Sequence, residues 1–262
     1  MSNKAILFCI FIALMPAVLN AAVKLDFYQL KIYHLKTDEQ EQKVDQFLEK
    51  AYLPALHRAG ISSVGVFKPI VSADKSAAGN EKLIYVFIPF SSRDHFFNLE
   101  AKLQKDQKYL QDGADYLDAT YTEPPYERME TILLNAFEKS PRFMVPQLNS
   151  PKKDRVYEFR SYEGHTEKIS ANKIQMFNKG DEIGLFKRLG FNAVFYGEVV
   201  AGSTMPNLMY ITTFKNIEDR NAHWAAFGKD SQWKTLSANP EYQNNVSKNV
   251  TKLLYPTDYS DI

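Results

Sequence analysis

The sequence predicts an α+β protein built from two tandem copies of one βαββαβ unit. Each copy is a four-stranded antiparallel sheet with two helices on one face, and the bare sheet faces pack against each other. Three observations predict this. The segment Val156-Tyr157-Glu158-Phe159-Arg160-Ser161-Tyr162 echoes Phe27-Tyr28-Gln29-Leu30-Lys31-Ile32-Tyr33. In each half a helical stretch follows and ends in a basic residue, one residue, and Gly: Arg58-Ala59-Gly60 and Arg188-Leu189-Gly190. A β-rich pair comes next, then a His beside an aromatic, His95-Phe96 and His223-Trp224. A period of roughly 130 residues is a whole-domain duplication, far above the solenoid range of about 20–50.

The first repeat opens with a strand over Leu25–Leu35, where Tyr28, Leu30 and Ile32 alternate onto one face. Thr37 caps the next helix and Gln40, three residues on, completes a capping box. Val44, Phe47, Leu48, Leu53 and Leu56 form its apolar stripe, Pro54 kinks or tightens its last turn, and Gly60 ends it. A strand is expected over Ile61–Val71, a small polar loop over Ser72–Asn80, a strand over Leu83–Phe90 and a helical region over Ser92–Gln111. After the Pro124-Pro125 break, Glu130–Phe137 suits helix or strand. Its counterpart Val250–Tyr255, which closes the second repeat before Pro256, makes both final strands.

Pro141, Pro146 and Pro151 mark a linker over 141–154 between a first domain (23–140) and a second (155–262). The second repeat reads as strand Val156–Glu163, helix Glu167–Leu189, strands Phe191–Ala201 and Leu208–Phe214, helix Glu218–Ser237 and the final strand. Tyr157, Phe159 and Ser161 share one face of its first strand; Glu158, Arg160 and Tyr162 share the other.

Composition narrows the function classes. The formal net charge is +1, from 32 basic and 31 acidic residues, so no electrostatic footprint for nucleic acid is present. Lys4, the apolar run Ala5–Leu19 and Asn20-Ala21-Ala22 form a secretory signal peptide over residues 1–22, too short to be a comfortable membrane span. The expected location is therefore exported, periplasmic or secreted, with no integral span after cleavage. Cys9 is the only cysteine and lies in that run, so the mature chain has no disulfide, thiolate metal site or Cys nucleophile. The five histidines have no metal-ligand spacing. Gly202-Ser203-Thr204 is a turn rather than a phosphate loop, and Ser161 and Ser203 lack a hydrolase elbow. No metal and no cofactor is expected. Asn245-Val246-Ser247 and Asn249-Val250-Thr251 are formal glycosylation sequons.

Four stretches resemble the NIPSNAP family, of the exported bacterial two-domain type. They are Tyr157-Glu158-Phe159-Arg160-Ser161-Tyr162-Glu163, Pro124–Arg128 through Leu133–Phe137, Arg220-Asn221-Ala222-His223-Trp224-Ala225-Ala226-Phe227 with Asp230–Trp233, and the tail Leu253–Ser260. The resemblance implies two tandem ferredoxin-like (dimeric α+β barrel) domains. It is stronger in the second half. The first has Gln29 and Lys31 where the family favours Glu and Arg, and a longer hairpin loop, departures that tell against functional symmetry of the halves.

The resemblance implies no settled reaction. Related barrel families use the cavity between sheet and helices for haem breakdown or quinol oxidation, pairing a His or Asn with a Trp. By that analogy His223 and His165 are the catalytic candidates, and Tyr157, Arg160, Tyr162, Tyr196, Tyr210 and Trp224 the ligand-binding ones. Each has a plainer reading. Trp224 at helical spacing packs onto a sheet, and Arg160 on a half-buried strand forms an ion pair with Glu158, Glu182 or Glu198 rather than clamping an acidic ligand. The expected function is binding of a small apolar or aromatic ligand, or of a protein partner, through the barrel. The alternative is a cofactor-independent monooxygenase or isomerase-type enzyme, and a second copy forming a homodimer is a further expected partner. An enzyme requires a pocket where His223 or His165 converges with Tyr or Arg; a binding module requires a pocket without such convergence.

Overall fold

The computed structural model describes residues 23–70 and 82–262. The expected signal peptide (1–22) and the loop Ser72–Asn80 lie outside the described residues.

Alternation builds the sheets. In β1 (Phe27–Leu35) the set Tyr28, Leu30 and Ile32 turns inward and Phe27, Tyr33 and Leu35 turn toward the helices; in β5 (Val156–Glu163) Tyr157 and Phe159 turn inward and Val156 and Tyr162 outward. Around β1 stand β2 (Gly65–Pro69), β3 (Lys82–Phe90) and β4 (Arg128–Ala136), in the order β4-β1-β3-β2. Around β5 stand β6 (Asn192–Ala201), β7 (Asn207–Phe214) and β8 (Lys248–Pro256), in the order β8-β5-β7-β6. All pairings are antiparallel.

The expected facing of the two sheets is present, and their edges also join. Strand β2 pairs with β8 through Phe67↔Pro256 and Pro69↔Leu254, and β4 pairs with β6 through Leu134↔Val199 and Ala136↔Gly197. The eight strands form one closed barrel. Closure leaves no unpaired strand edge, which separately stacked sheets would keep. The interior is apolar and aromatic. Phe87 stacks on Phe195 at 4.6 Å, Phe67 meets Tyr157 at 4.6 Å, and Tyr28 touches both Phe87 and Phe195. Each such fully buried side chain contributes about 1.5–3 kcal/mol.

Chain segments after β4 and β8 cross to the opposite half. Met144 N–H donates to the Val194 carbonyl at 3.0 Å beside β6. Symmetrically, Val66 N–H donates to Ser260 Oγ at 2.9 Å beside β2, and the Tyr259 hydroxyl donates to Asp45 at 2.6 Å.

Helices cover the outside. In the first half a continuous helical run comprises α1 (Asp38–Phe47), a π-helical turn (Leu48–Tyr52) and α2 (Leu53–Arg58). The capping box forms: Gln40 N–H donates to Thr37 Oγ1 at 3.2 Å, while Gln40 Oε1 accepts from Lys36 N–H, one residue before the cap. Pro54 has no N–H to return to the preceding turn, and the widened turn sits immediately upstream. Gly60 and Gly190 adopt φ of +92° and +79°, the left-handed caps that the repeated basic-x-Gly pattern implies.

Several elements are shorter than the periodicity suggests. The strand expected over Ile61–Val71 is ordered as strand only at Gly65–Pro69, its facing register being limited to Phe67, Lys68 and Pro69 on β8. Ser92–Gln111 is not one helix but α3 (Arg93–Phe97), α4 (Leu99–Leu103) and α5 (Gln107–Asp112), followed by α6 (Ala114–Leu117); Asp106 recaps the chain by accepting from Tyr109 N–H. The second half's first helix breaks into α7 (Glu167–Asn178) and α8 (Glu182–Arg188) at Asp181, whose φ is +61°. Its second divides into α9 (Ile217–Lys229) and α10 (Ser231–Ala238) where Asp230 caps the new turn. These side-chain caps override an otherwise continuous helical pattern. Among the described residues no helix is long and apolar enough to cross a membrane.

Candidate functional site

The two halves fill the space between sheet and helices differently. In the second half, alternation on β5 aims Glu158, Arg160 and Tyr162 at α7–α9. Glu158 is fully buried and surrounded by donors: Arg160 at 2.6 Å, Arg220 through two nitrogens at 2.9 Å each, and the Trp224 indole N–H at 2.6 Å. The Arg160 guanidinium lies 4.3 Å over the Trp224 ring. Burial pushes the Glu158 carboxyl up, but the Arg220 hydrogen bonds, the Arg160 charge and the Trp224 N–H outweigh it and hold it below the ordinary value. This is a structural ion pair, with Glu158 as the partner among the three carboxylates the sequence offered.

The remaining sequence candidates in this half are packing groups. Tyr210 stacks near Tyr196 at 5.5 Å, with Phe177 and Phe186 against both, and the Tyr162 and Tyr210 hydroxyls share a 3.0 Å hydrogen bond. Tyr157 points the other way, into the barrel. His223 stands edge-on to Phe191 at 5.5 Å, and its Nδ1 lies 2.7 Å from the Asp219 carbonyl one helical turn back. Its other nitrogen sits where a Cβ on Gly190 would approach to 3.2 Å, a tight contact added to the positive φ that favours Gly there. His165 is exposed on the turn before α7 and makes no contact with His223.

The first half keeps the corresponding space open. A cleft of about 330 Å³ lies between β1 and the helices, with Gln29 and Lys31 as its floor. Phe47, Tyr52, Leu99, Leu103, Tyr109 and Tyr116 form its walls, and Phe97, 70% exposed, stands at its rim. The π-turn builds one wall. Residues five apart fall on different faces of an α-helix, but the wide turn brings Phe47 and Tyr52 together, stacked at 5.6 Å and 18°. Tyr116 then stacks on Phe47 at 3.7 Å and reaches the Tyr33 hydroxyl at 3.3 Å.

Gln29 and Lys31 occupy the positions of Glu158 and Arg160. Gln29 is 8% exposed, and among the described residues its amide has no hydrogen-bond partner. Lys31 has no ion-pair partner there either; its ammonium lies 4.8 Å over the Tyr52 ring and 5.8 Å from that of Tyr33. Burial lowers the Lys31 ammonium to about 8, opposed only by the charge of Glu100 on α4. Burial also pushes the Tyr109 hydroxyl up to about 12 and those of Tyr33, Tyr52 and Tyr116 well above their ordinary value, so all four are neutral donors near pH 7. Three residues before its His the first half has Ser92, the N-cap of α3, where the second half has Arg220 on α9.

Among the described residues no group of three His, Cys, Asp or Glu is placed to hold a metal ion. The geometry therefore offers an aromatic slot with one unpaired cation, one unpaired amide and several neutral hydroxyls. Sequence reasoning placed its candidates in the second half. The signal for this cleft was the Gln29 and Lys31 departure from the Glu and Arg of the other repeat.

The barrel and its helical coats define a dimeric α+β barrel protein whose two halves are fused in one chain. Residues 157–261, in the second half, match the model of the NIPSNAP family. Among solved structures the fold is similar to a proposed monooxygenase of Fusobacterium nucleatum (TM-score 0.56, 7% identity, 88% of this chain and 92% of that one). It is also similar to another proposed monooxygenase, from Lactobacillus acidophilus (TM-score 0.53, 11% identity, 88% and 94%), and to an anthrone oxidase-like protein (TM-score 0.51, 10% identity, 88% and 91%). At these identities the likeness is one of fold. No curated protein matches the chain.

Proposed function

We propose that this protein binds a small flat aromatic or apolar ligand in the sheet–helix cleft of its first half, and that its second half is the structural partner completing the barrel. The observation that carries this reading is the contrast at one register position: Glu158 and Arg160 are sealed by Arg220 and Trp224, whereas Gln29 and Lys31 face an open cleft walled by aromatic rings. A cleft of mainly apolar walls with a few polar groups is the usual form of a small-molecule site. The histidines do not converge on it. The leader-like segment at residues 1–22 supports an exported protein working outside the cytoplasm.

The test is titration with the neutral aromatic 2-methoxynaphthalene, followed by NMR of the tyrosine rings. Saturable shifts of Tyr52 and Tyr116 that Leu103→Trp removes by filling the cleft support the reading; no shift, or shifts insensitive to Leu103→Trp, contradict it.

A second reading, a cofactor-independent oxygenase, draws support from the Lys31 amine, which at about 8 can exchange a proton near neutral pH. It predicts oxygen uptake with anthrone that Lys31→Met abolishes. Uptake that is absent, or unchanged in the variant, contradicts it.

A further inference from the structure

We propose that the cleft selects ligands carrying an acidic group, a carboxylate or an ionised phenol on a conjugated ring system, with Lys31 as its counter-ion and Gln29 as its hydrogen-bond partner. This deepens the binding reading above and rests on it.

Buried charges in proteins are paired, and buried amides are hydrogen-bonded. The second half obeys this rule at Glu158 and Arg160, and again at Lys173, which meets Glu182 at 2.9 Å with both side chains at 7% exposure or less. In the first half two polar side chains within three residues of one strand turn to the cleft without a protein partner. Gln29 is 8% exposed and, among the described residues, its amide makes no hydrogen bond; the half-buried Lys31 ammonium has aromatic faces but no carboxylate within ion-pair distance. Both belong to the floor of the same cleft. An arriving carboxylate accepts from both at once, while its ring system lies among Phe47, Tyr52 and Tyr116. A neutral ligand leaves the cation uncompensated, and a cationic one adds repulsion.

The groups facing Lys31 set the pH dependence. Tyr33 lies on its own strand, Tyr52 on the π-turn, Glu100 on α4, Tyr109 on α5 and Tyr116 on α6. The tyrosines stay neutral throughout the physiological range. Glu100 is the one carboxylate whose charge acts on Lys31. It stands exposed on the wall, so an incoming anion competes with a solvated charge rather than displacing a salt bridge. Anion preference should hold while Lys31 is protonated and fade as pH rises through about 8.

The experiment compares 2-naphthoate with the neutral 2-naphthylmethanol on the full protein, by calorimetry at pH 6.5 and 9.5. Expected is at least tenfold tighter binding of the acid at pH 6.5, a smaller ratio at pH 9.5, loss of the preference in Lys31→Met with the alcohol still bound, and its retention in Lys31→Arg. Equal affinity for acid and alcohol, or a preference that survives Lys31→Met, overturns the inference while leaving the cleft reading intact. Failure of both compounds to bind overturns both. Circular dichroism of each variant confirms that a loss reflects the charge rather than the fold.

Discussion

At the same position of two duplicated strands stand Arg160 and Lys31, and their surroundings have opposite characters. Arg160 is held by Glu158, which Arg220 and Trp224 hold in turn. Lys31 is left over tyrosine rings beside an amide. One half has spent its polar groups on each other, and the other has kept them unspent next to a cleft. Duplication supplied two equivalent frames; Gln29 for Glu158 and Lys31 for Arg160, together with the π-turn and the short helices of the first half, leave a cleft where the second half is packed. Departures from stability rules of this kind concentrate at functional positions.

The largest expected effect lies on the sealed side. Glu158→Gln removes the carboxylate from two buried guanidinium groups and should cost about 3–5 kcal/mol in denaturant unfolding, as breaking a buried ion pair does. A cost below about 1 kcal/mol would mean that the cluster is solvated and the contrast between halves is overstated. The pH dependence follows. Because the folded Glu158 carboxyl lies below its ordinary value of 4.5, its contribution is present above that pH and is lost as pH falls through the folded value. Acid unfolding in the wild type should therefore steepen below about pH 4.5, and the variant should lose that dependence.

The open side should respond with the opposite sign. Lys31→Met removes a desolvated amine from an aromatic wall and should stabilise the fold by roughly 1–3 kcal/mol. With the folded amine at about 8 and its ordinary value at 10.5, the unfolded chain binds more protons between these values, so wild-type stability should rise with pH across that window. A destabilised Lys31→Met, or stability flat from pH 8 to 10.5, would show that the ammonium is satisfied in the resting protein. A smaller test transplants the sealed pattern. Gln29→Glu gives Lys31 a carboxylate at the Glu158 position, and should weaken 2-naphthoate binding about tenfold while changing stability by less than about 1 kcal/mol.

Much of the fold was legible in the sequence because duplication doubled each signal. The ambiguous Glu130–Phe137 became a strand through its counterpart at the end of the second repeat, and both are strands. A barrel was implied by the family resemblance rather than by the pattern itself: alternation tells which face of β2 or β4 is buried, but not that Phe67 and Leu134 pair with strands of the other half. Helix breaks at Asp106, Asp181 and Asp230 were hidden because single residues, two capping side chains and the left-handed Asp181, ended runs whose apolar spacing continued. The cleft depends on two such local events, the π-turn before Pro54 and the fragmented α3–α6 segment. Neither has a periodic signature. What the sequence did show was the substitution itself, visible only when one half is laid against the other.

The most direct measurement is the acid–base titration of the Lys31 side-chain amine by NMR with labelled lysine, assigned through Lys31→Arg, without ligand and then with 2-naphthoate. A half-buried amine without an ion-pair partner titrates near 8 in the free protein and moves upward when the acid binds. A value near the ordinary 10.5, unmoved by the acid, would contradict the claim that the first half holds an unsatisfied cation in reserve for a ligand.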